Sequence, residues 1–449
     1  MSKQEVIPSA HRLIYSLRDL GYDFVSAVAD LIDNSIEAGA NQVVIHTKFN
    51  GDNSWVTIED DGLGMSKSQL VEAMRYGSNR DYDGEKDLGK FGLGLKTASM
   101  SQCQKLTVSS QQEEGPISSY CWDLEHIKKT NKWEIIKPDE KEMKLILKEA
   151  LNKKRGTVVL WQRLDRILGF KKPYGEQARK RLSEMTRELE DHLAMVFHRF
   201  LEGAVPDKKL EIVLNGNTVQ AWDPFVRSEE KTQALESKKI PLEHEGKSGI
   251  INIEPYILPS KDAFSTSKKF SAASGPKKWN QQQGFYIYRA NRLIQSGGWS
   301  HLRAVDEHTK LARLALSFSP HLDDAFKINV AKKQVQLPTQ IRDKIDSIVK
   351  PLCTNARKVY DKKVPTPAGS SQTPAVSYQR NSAHLHSSQM NLTMPVVETG
   401  SSTGATGFTT DQRLWSLDEL EVELEAIADD TEKAVMLNLF AKFRKIIKQ

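Results

Sequence analysis

Three short runs of this chain carry groups that can do chemistry together, and they occur in a fixed order between Asp30 and Lys96. The first is ADLIDNSIEAGA, with Asp30 and Asn34 one helical turn apart. A side-chain amide oxygen can ligate a hard cation such as Mg²⁺, which keeps several waters. A carboxylate one turn away can orient and deprotonate an attacking water. The second run, Asp60-Asp61-Gly62-Leu63-Gly64-Met65, sets a carboxylate at a strand end before two glycines. Those glycines permit positive φ and close backbone approach to a flat ligand, and the Asp60 carboxylate can accept from an exocyclic amine, as adenine carries. The third run, Gly89-Lys90-Phe91-Gly92-Leu93-Gly94-Leu95-Lys96, is a glycine loop leading into an apolar helix over 93–100. Backbone N–H groups at such a helix start bind phosphate without side-chain help. Taken singly, the three runs read as a solvated helix face, an Asp-Gly turn and a flexible loop. Together they describe a pocket for a magnesium-bound nucleoside triphosphate.

The elements that must position these groups follow from periodicity. Over 25–37, Val25, Val28, Ala29, Ile32 and Ile36 recur at helical spacing, with Asp30, Asn34 and Glu37 on the opposite face and Gly39 as the terminal cap. Segments 41–49 and 54–59 read as strands, the second ending at Asp60. The glycine spacing is not that of a P-loop, no GxxxxGK[ST] run occurs, and no strand-turn-helix unit with Gly-x-Gly precedes it. The polar stretch 76–88 (YGSNRDYDGEKDL) reads as a lid over the triphosphate. Strands are expected at 105–110, 118–123 and 154–160, a charged helix near 137–153, and a strand and turn at 210–217.

The succession of Asn-bearing helix, DxGxG and GxxGxG resembles the GHKL superfamily of ATPases, which is built on the Bergerat fold and includes DNA gyrase B, MutL, heat-shock chaperone ATPases and histidine kinases. The run Lys154-Arg155-Gly156-Thr157-Val158-Val159-Leu160 resembles the superfamily's late strand, whose threonine supports the adenine-binding aspartate. By this resemblance ATP and Mg²⁺ are the cofactors. Asn34 would hold the metal and Asp60 the adenine, with Thr157 behind it and Gly62, Gly64 and Met65 in the nucleotide site. Gly89, Lys90, Phe91, Gly92, Leu93, Gly94, Lys96 and Thr97 would serve the phosphates. Asp30 would be the catalytic base. ATP-splitting members place Glu there, and Asp is one methylene shorter, so slow turnover is expected.

The implied fold class is α+β: a Bergerat-fold ATPase domain with helices on one face of a mixed sheet over 1–225, then a transducer-like α+β domain over 226–361. A disordered linker at 364–410 (rich in Ser, Thr, Pro and Gly) and a helical interaction segment at 411–449 complete the chain. In the second domain, strands are expected near 249–258 and 284–289 and helices near 306–315 and 338–361, with Pro351 kinking or splitting the last. GFYIYRANRLIQSGGWSHLR and the earlier HLAMVFHRFLE resemble the MORC-type branch, in a prokaryotic form. There the second domain senses the γ-phosphate through a lysine, which would be Lys333 here, or Lys332 in its place.

A length of 449 residues with 39% hydrophobic content suffices for two globular domains and a tail. No run of about 18 apolar residues occurs and the N-terminus has no apolar core segment, so an intracellular protein, cytoplasmic or nuclear/nucleoid-associated, off the membrane, is expected. Cys103, Cys121 and Cys353 lack metal-ligand spacing and read as reduced, buried residues. The net charge of +6 says little about nucleic acid. The segment 258–283, with Lys268, Lys269, Lys277, Lys278, Phe270 and Trp279, reads either as a DNA contact or as a solvated loop. The resemblance implies an ATP-dependent homodimer acting as a clamp on DNA, in chromatin-type compaction or in restriction or anti-phage defence, with a protein partner open for the 411–449 helices. Two other readings stand beside it: a nucleotide-gated chaperone or scaffold without nucleic acid, and a histidine protein kinase. The latter needs an acceptor-histidine hairpin before the Asn helix, where only His11 lies.

Overall fold

The structure is a computed structural model and describes residues 3–4, 6–19, 21–77, 94–113, 115–140, 143, 154–328 and 335–362. Gly89 to Leu93, Lys332, Lys333, most of the 76–88 stretch, most of the expected 137–153 helix and both segments beyond 363 lie outside the described residues.

Seven strands form a mixed sheet: β1 (Gln42–Lys48), β2 (Trp55–Asp60), β3 (Lys105–Gln111), β4 (Ser118–Asp123), β5 (Gly156–Gln162), β6 (Glu211–Leu214) and β7 (Asn217–Thr218), in the order β4-β3-β5-β2-β1-β6-β7. Only β1 and β6 pair in parallel. One core joins the sheet to α1 (Ala10–Arg18), α2 (Phe24–Glu37), α4 (Gly94–Met100) and α6 (Glu176–Val196). It is built from Ile14, Val28, Ile32, Met100 and Leu189 on the helices, against Val43, Ile45, Val56, Ile58, Val108 and Trp161 on the strands. The alternation of Val43 and Ile45 along β1 is the period-two signal of a strand with one face buried. The remaining first-part helices are α3 (Lys67–Met74), α5 (Leu124–Thr130) and the short α7 (His198–Leu201). Cys103, Cys121 and Cys353 are buried and free.

A second sheet is built from β8 (Gln233–Ala234), β9 (Lys238–His244), β10 (Lys247–Ile257), β11 (Gly284–Arg289), β12 (Arg292–Ser296) and β13 (Ala312–Phe318). Its order is β12-β11-β13-β10-β8, with β9 also on β10. Both faces of its centre are covered, so β11 is buried at every position. Phe285 and Ile287 face the core shared with α10 (Arg342–Asp361), while Tyr286 and Tyr288 join Met195 and Phe225 in a separate cluster. That second cluster is a seam with the first sheet's helices. Tyr288 Oη meets His198 Nε2 at 2.8 Å, and the Arg199 guanidinium lies 3.5 Å over the Tyr288 ring. His198, Glu202 and Asp223 also bring metal-ligand atoms within 4.8 Å of one another. Arg227, however, binds both carboxylates, at 2.6 and 3.0 Å, and supplies the positive charge there itself. Both sheets lie in one compact unit, Met1–Pro365.

Three expectations for the second half need correction. The segment 306–315 is not a helix: after a 3₁₀ turn, Glu307–Thr309, the run Ala312–Phe318 is a central strand. A short apolar run carries no period that separates helix from strand, and pairing with β10 and β11 decides it. Pro351 does not split α10, which runs unbroken from Arg342 to Asp361. An internal proline costs about 3 kcal/mol. Burying Ile345, Val349 and Leu352, each at 1% exposure or less, offsets that at roughly 1.5–3 kcal/mol apiece. The 258–283 segment is ordered, with α8 (Ser267–Ala273) and α9 (Lys278–Gln282).

The start of β5 is a close approach that only glycine allows. Gly156 has φ +137°, and a Cβ there would collide with the Asp60 carbonyl on the paired strand. Gly156→Ala is therefore expected to lower stability by roughly 2–3 kcal/mol, seen as a fall in the thermal midpoint. An unaltered midpoint would contradict this strand packing.

Candidate functional site

α2 starts at Asp23, whose side chain accepts from the Ser26 N–H, and stops where Gly39 turns to φ +71°. Taken alone the polar stripe of this helix reads as a solvated face; with the other two runs it reads as part of a nucleotide pocket. Asp30 and Asp33 are 3% and 0% exposed, while Asn34 is half-buried. Asp30 Oδ2 accepts from Tyr22 Oη at 2.7 Å. Burial, and then the Asp30 carboxylate, hold the Tyr22 hydroxyl well above the usual tyrosine range, so it stays a donor.

Asp60 sits at the end of β2, directly opposite Thr157 in the β2–β5 register. Its Oδ2 accepts from Ser35 Oγ at 3.0 Å and its Oδ1 from the Gly62 N–H at 3.0 Å. Ser35 follows Asn34 on α2, so the adenine-type acceptor and the amide are locked to adjacent residues. The turn after Asp60 is strapped to the end of α2: Leu63 N–H donates to Ala38 O at 2.9 Å, and Asp61 Oδ1 accepts from the Asn41 and Gln42 N–H groups. Gly62 has no room for a side chain, since a Cβ would lie 2.9 Å from Ala38 Cβ and 3.0 Å from Asp60 Oδ1. Gly64, at φ +66°, packs against the Gln111 carbonyl. Met65 N–H donates to Ser110 Oγ, which in turn meets Thr157 Oγ1, both at 2.8 Å. Thr157 thus reaches the turn through Ser110 as well as facing Asp60 across the sheet.

α4 packs against α2. Among the described residues, a Cβ built on Gly94, its first residue, would come near Asp30 Oδ2, at 4.0 Å. Thr97 is buried and hydrogen-bonds Tyr22. Lys96 is 2% exposed, and its Nζ donates to the Ala73 carbonyl at 3.0 Å, so it braces α4 against α3. Burial pulls the Lys96 ammonium down to about 8, with Glu72 acting in the opposite direction.

The structure therefore brings Asp30, Asn34, Asp60, Gly62, Gly64, Met65, Gly94, Thr97 and Thr157 around the ends of α2, β2 and α4. The Asp60 carboxylate lies beside Gly62 and the Asp30 carboxylate beside Gly94, so backbone rather than a side chain faces each of them. Sequence reasoning missed Ser35, Ser110, Tyr22 and Arg292. Ser35 was findable by its adjacency to Asn34. Arg292, from β12, carried no local signal, yet its Nε lies 2.8 Å from Asp33 Oδ2 and its Nη2 3.5 Å from Asp30 Oδ1. Phe270 stacks on Trp279 at 4.7 Å and both pack on the second core, while Lys269 pairs with Glu229 and Lys277 donates to Ser296. No described helix is long and apolar enough to cross a membrane.

The site therefore consists of a strand-end aspartate tied to an Asn-bearing helix, beside the start of a glycine-led helix. Residues 22–157 match the family described as histidine kinase-, DNA gyrase B-, and HSP90-like ATPase, so the chain carries a GHKL ATPase domain. The DNA mismatch repair protein MutL of Haemophilus influenzae (strain PittEE) is 34% identical over 93 residues, which are 20% of this chain and 15% of that protein. MutL of Pseudothermotoga lettingae is 34% identical over 90 residues, 19% of this chain and 16% of that protein. ATPase morc-1 of Caenorhabditis elegans is 26% identical over 89 residues, 20% of this chain and 10% of the relative. The chain thus aligns with less than a fifth of the length of each.

Burial raises the Asp60 carboxyl above its usual value, against the hydrogen bonds from Gly62, Ser35 and Thr157 that lower it. A raised folded-state value means that folding favours the protonated form, so the carboxylate costs stability as pH rises through that value. Asp60→Asn is expected to be at least as stable as the native protein at pH 7, with its advantage vanishing near pH 3. Urea unfolding at the two pH values checks this, and a variant less stable at pH 7 than at pH 3, relative to the native chain, would contradict it.

Proposed function

We propose that this protein is an ATP-binding, slowly ATP-hydrolysing switch or clamp of MORC-like type. The observation that carries the reading is Asp60 held by Ser35 and Gly62 beside Asn34, with Asp30 facing the start of α4. In this reading Asp60 accepts from the adenine amine, backed by Thr157, and Gly62, Gly64 and Met65 shape the base pocket. Asn34 offers its amide oxygen to Mg²⁺, whose charge offsets that of the phosphates. Gly89 to Leu93, Gly94 and Thr97 serve the phosphates, with Lys96 bracing α4 behind them, and Asp30 orients and deprotonates the attacking water. Lys333, or Lys332 in its place, meets the γ-phosphate as a point charge. The domain division at 225 and the tail segments at 364–410 and 411–449 belong to the same reading. The shorter Asp30, in place of Glu, sets the base back by roughly an ångström, enough to slow chemistry on the order of 100-fold.

ATP binding would join two copies, and hydrolysis would release them. MutL is named as a DNA mismatch repair protein, and its likeness supports DNA as the target. Ligand-driven closure would shift populations of existing conformations.

Asp30→Ala is expected to cut phosphate release at least about 100-fold while leaving binding of a non-hydrolysable ATP analogue within about 3-fold. Asn34→Ala should lose both. Unchanged hydrolysis in Asp30→Ala would overturn the base assignment. In solution, light scattering should report a doubled mass with the analogue, and the dimer should hold DNA at low salt and release it steeply as salt rises. A chain that stays monomeric with analogue bound would end the clamp reading.

A further inference from the structure

β11 and β12 are joined by a two-residue turn, with Ala290 at φ 45° and Asn291 at φ 68°, the geometry whose twist matches a tight hairpin. The turn end is pinned on two sides. Arg289 pairs with Asp323 inside the second sheet's own body, at 2.7 Å. Arg199 of α7 donates to Asn291 Oδ1 at 3.2 Å and to Ser317 Oγ at 3.1 Å. Arg292, the first residue of β12, is aimed away from its own sheet and into the first. It is 3% exposed, and its Nε approaches both Asp33 oxygens, at 3.0 and 2.8 Å. Its Nη2 faces Asp30 Oδ1 at 3.5 Å, and its guanidinium carbon lies 6.0 Å from the Phe197 ring centroid.

This placement answers a problem that α2 creates. Asp30 and Asp33 are three residues apart on one helix face, where two buried carboxylates repel. A single guanidinium spans both, since its planar fork can bind one carboxylate and still reach another. Asp30 is contacted at both oxygens: Tyr22 Oη donates to Oδ2, and the Arg292 guanidinium faces Oδ1 at the longer ion-pair distance of 3.5 Å. Tyr22 comes from the same sheet unit as Asp30, but Arg292 is 259 residues distant from Asp33 and belongs to the other sheet.

We propose that Arg292 is a positioning residue for ATP hydrolysis: it holds the Asp30 carboxylate aimed at the start of α4, so that the hydrolytic centre of the first sheet is complete only when the second sheet is docked. The inference rests on Asp30 being the base, as read above. It makes hydrolysis, and not nucleotide binding, the step that senses the second sheet. A shift of β12 relative to α2 would loosen Asp30 and idle the chemistry while nucleotide stays bound.

The test uses the full chain. Arg292→Gln alone would take the guanidinium away from the buried Asp33 carboxylate and could fail to fold, so the decisive variant is the shape-preserving double Arg292→Gln/Asp33→Asn. Expected for the double variant are native-like circular dichroism and melting, binding of the ATP analogue within about 3-fold of native, and a kcat reduced roughly 10- to 100-fold with KM little changed. Arg292→Lys should recover part of that loss, and Asp33→Asn alone should lose clearly less than the double, because Arg292 still reaches Asp30. A double variant that hydrolyses at the native rate overturns the inference. So does an Asp33→Asn variant as impaired as the double, or a kcat loss matched by an equal loss of analogue binding. A native chain that binds the analogue but shows no hydrolysis sensitive to Asp30→Ala fails earlier, and takes the reading of Asp30 and this inference down together.

Discussion

Giving partners to the buried carboxylates of Asp30 and Asp33 on α2, and to the partly buried Asp60 at the end of β2, is the constraint on which this structure turns. Asp30, Asp33 and Asp60 each need partners, because an unpaired buried carboxylate is among the costliest groups a protein can carry. Asp60 is served locally by Ser35 and the Gly62 N–H. Asp30 draws on Tyr22 from the turn before its helix. Asp33 depends on Arg292 from the second sheet. The demand for partners is thus what ties helix to strand within the first sheet and couples that sheet to the second.

The glycines act through backbone contact rather than looseness. Gly62 and Gly64 let the turn after β2 lie flat against α2 and β3, and Gly156 lets β5 close on the Asp60 carbonyl. Each removes a side chain from a place where backbone must approach backbone. The result is close backbone packing around the Asp60 carboxylate.

The seam between the sheets has its own polar logic. His198 joins Tyr288 to Glu202, and Arg227 joins Glu202 to Asp223. Burial lowers the His198 imidazole's affinity for a proton, against the pull of Glu202. The seam therefore runs on hydrogen bonds and on Arg199 and Arg227, and the tyrosines that supply its apolar surface are the same ones that alternate along β11. Period-two alternation lets a single strand face two cores at once.

Much of the first sheet was legible from the chain because its signals are local. A helical period over α2, alternation in β1, an Asp-Gly turn and a glycine before α4 all act within a few residues, and the structure has each of them. The second half was less legible. Ala312–Phe318 has no period that tells strand from helix, and Pro351 breaks a propensity rule that a buried stripe overrides. Phe270 and Trp279 looked like a stacking surface, but they stack on each other. The sequence by itself determined which residue types stand at the helix, the strand end and the glycine-led start, since these depend on short-range spacing. Only the tertiary structure decided that Ser110 would join Thr157 to Met65 and that Arg292 would reach Asp33 and Asp30. Those contacts close across 45, 47 and 259 positions, and nothing in a local pattern encodes which distant side chain will neutralise a buried charge.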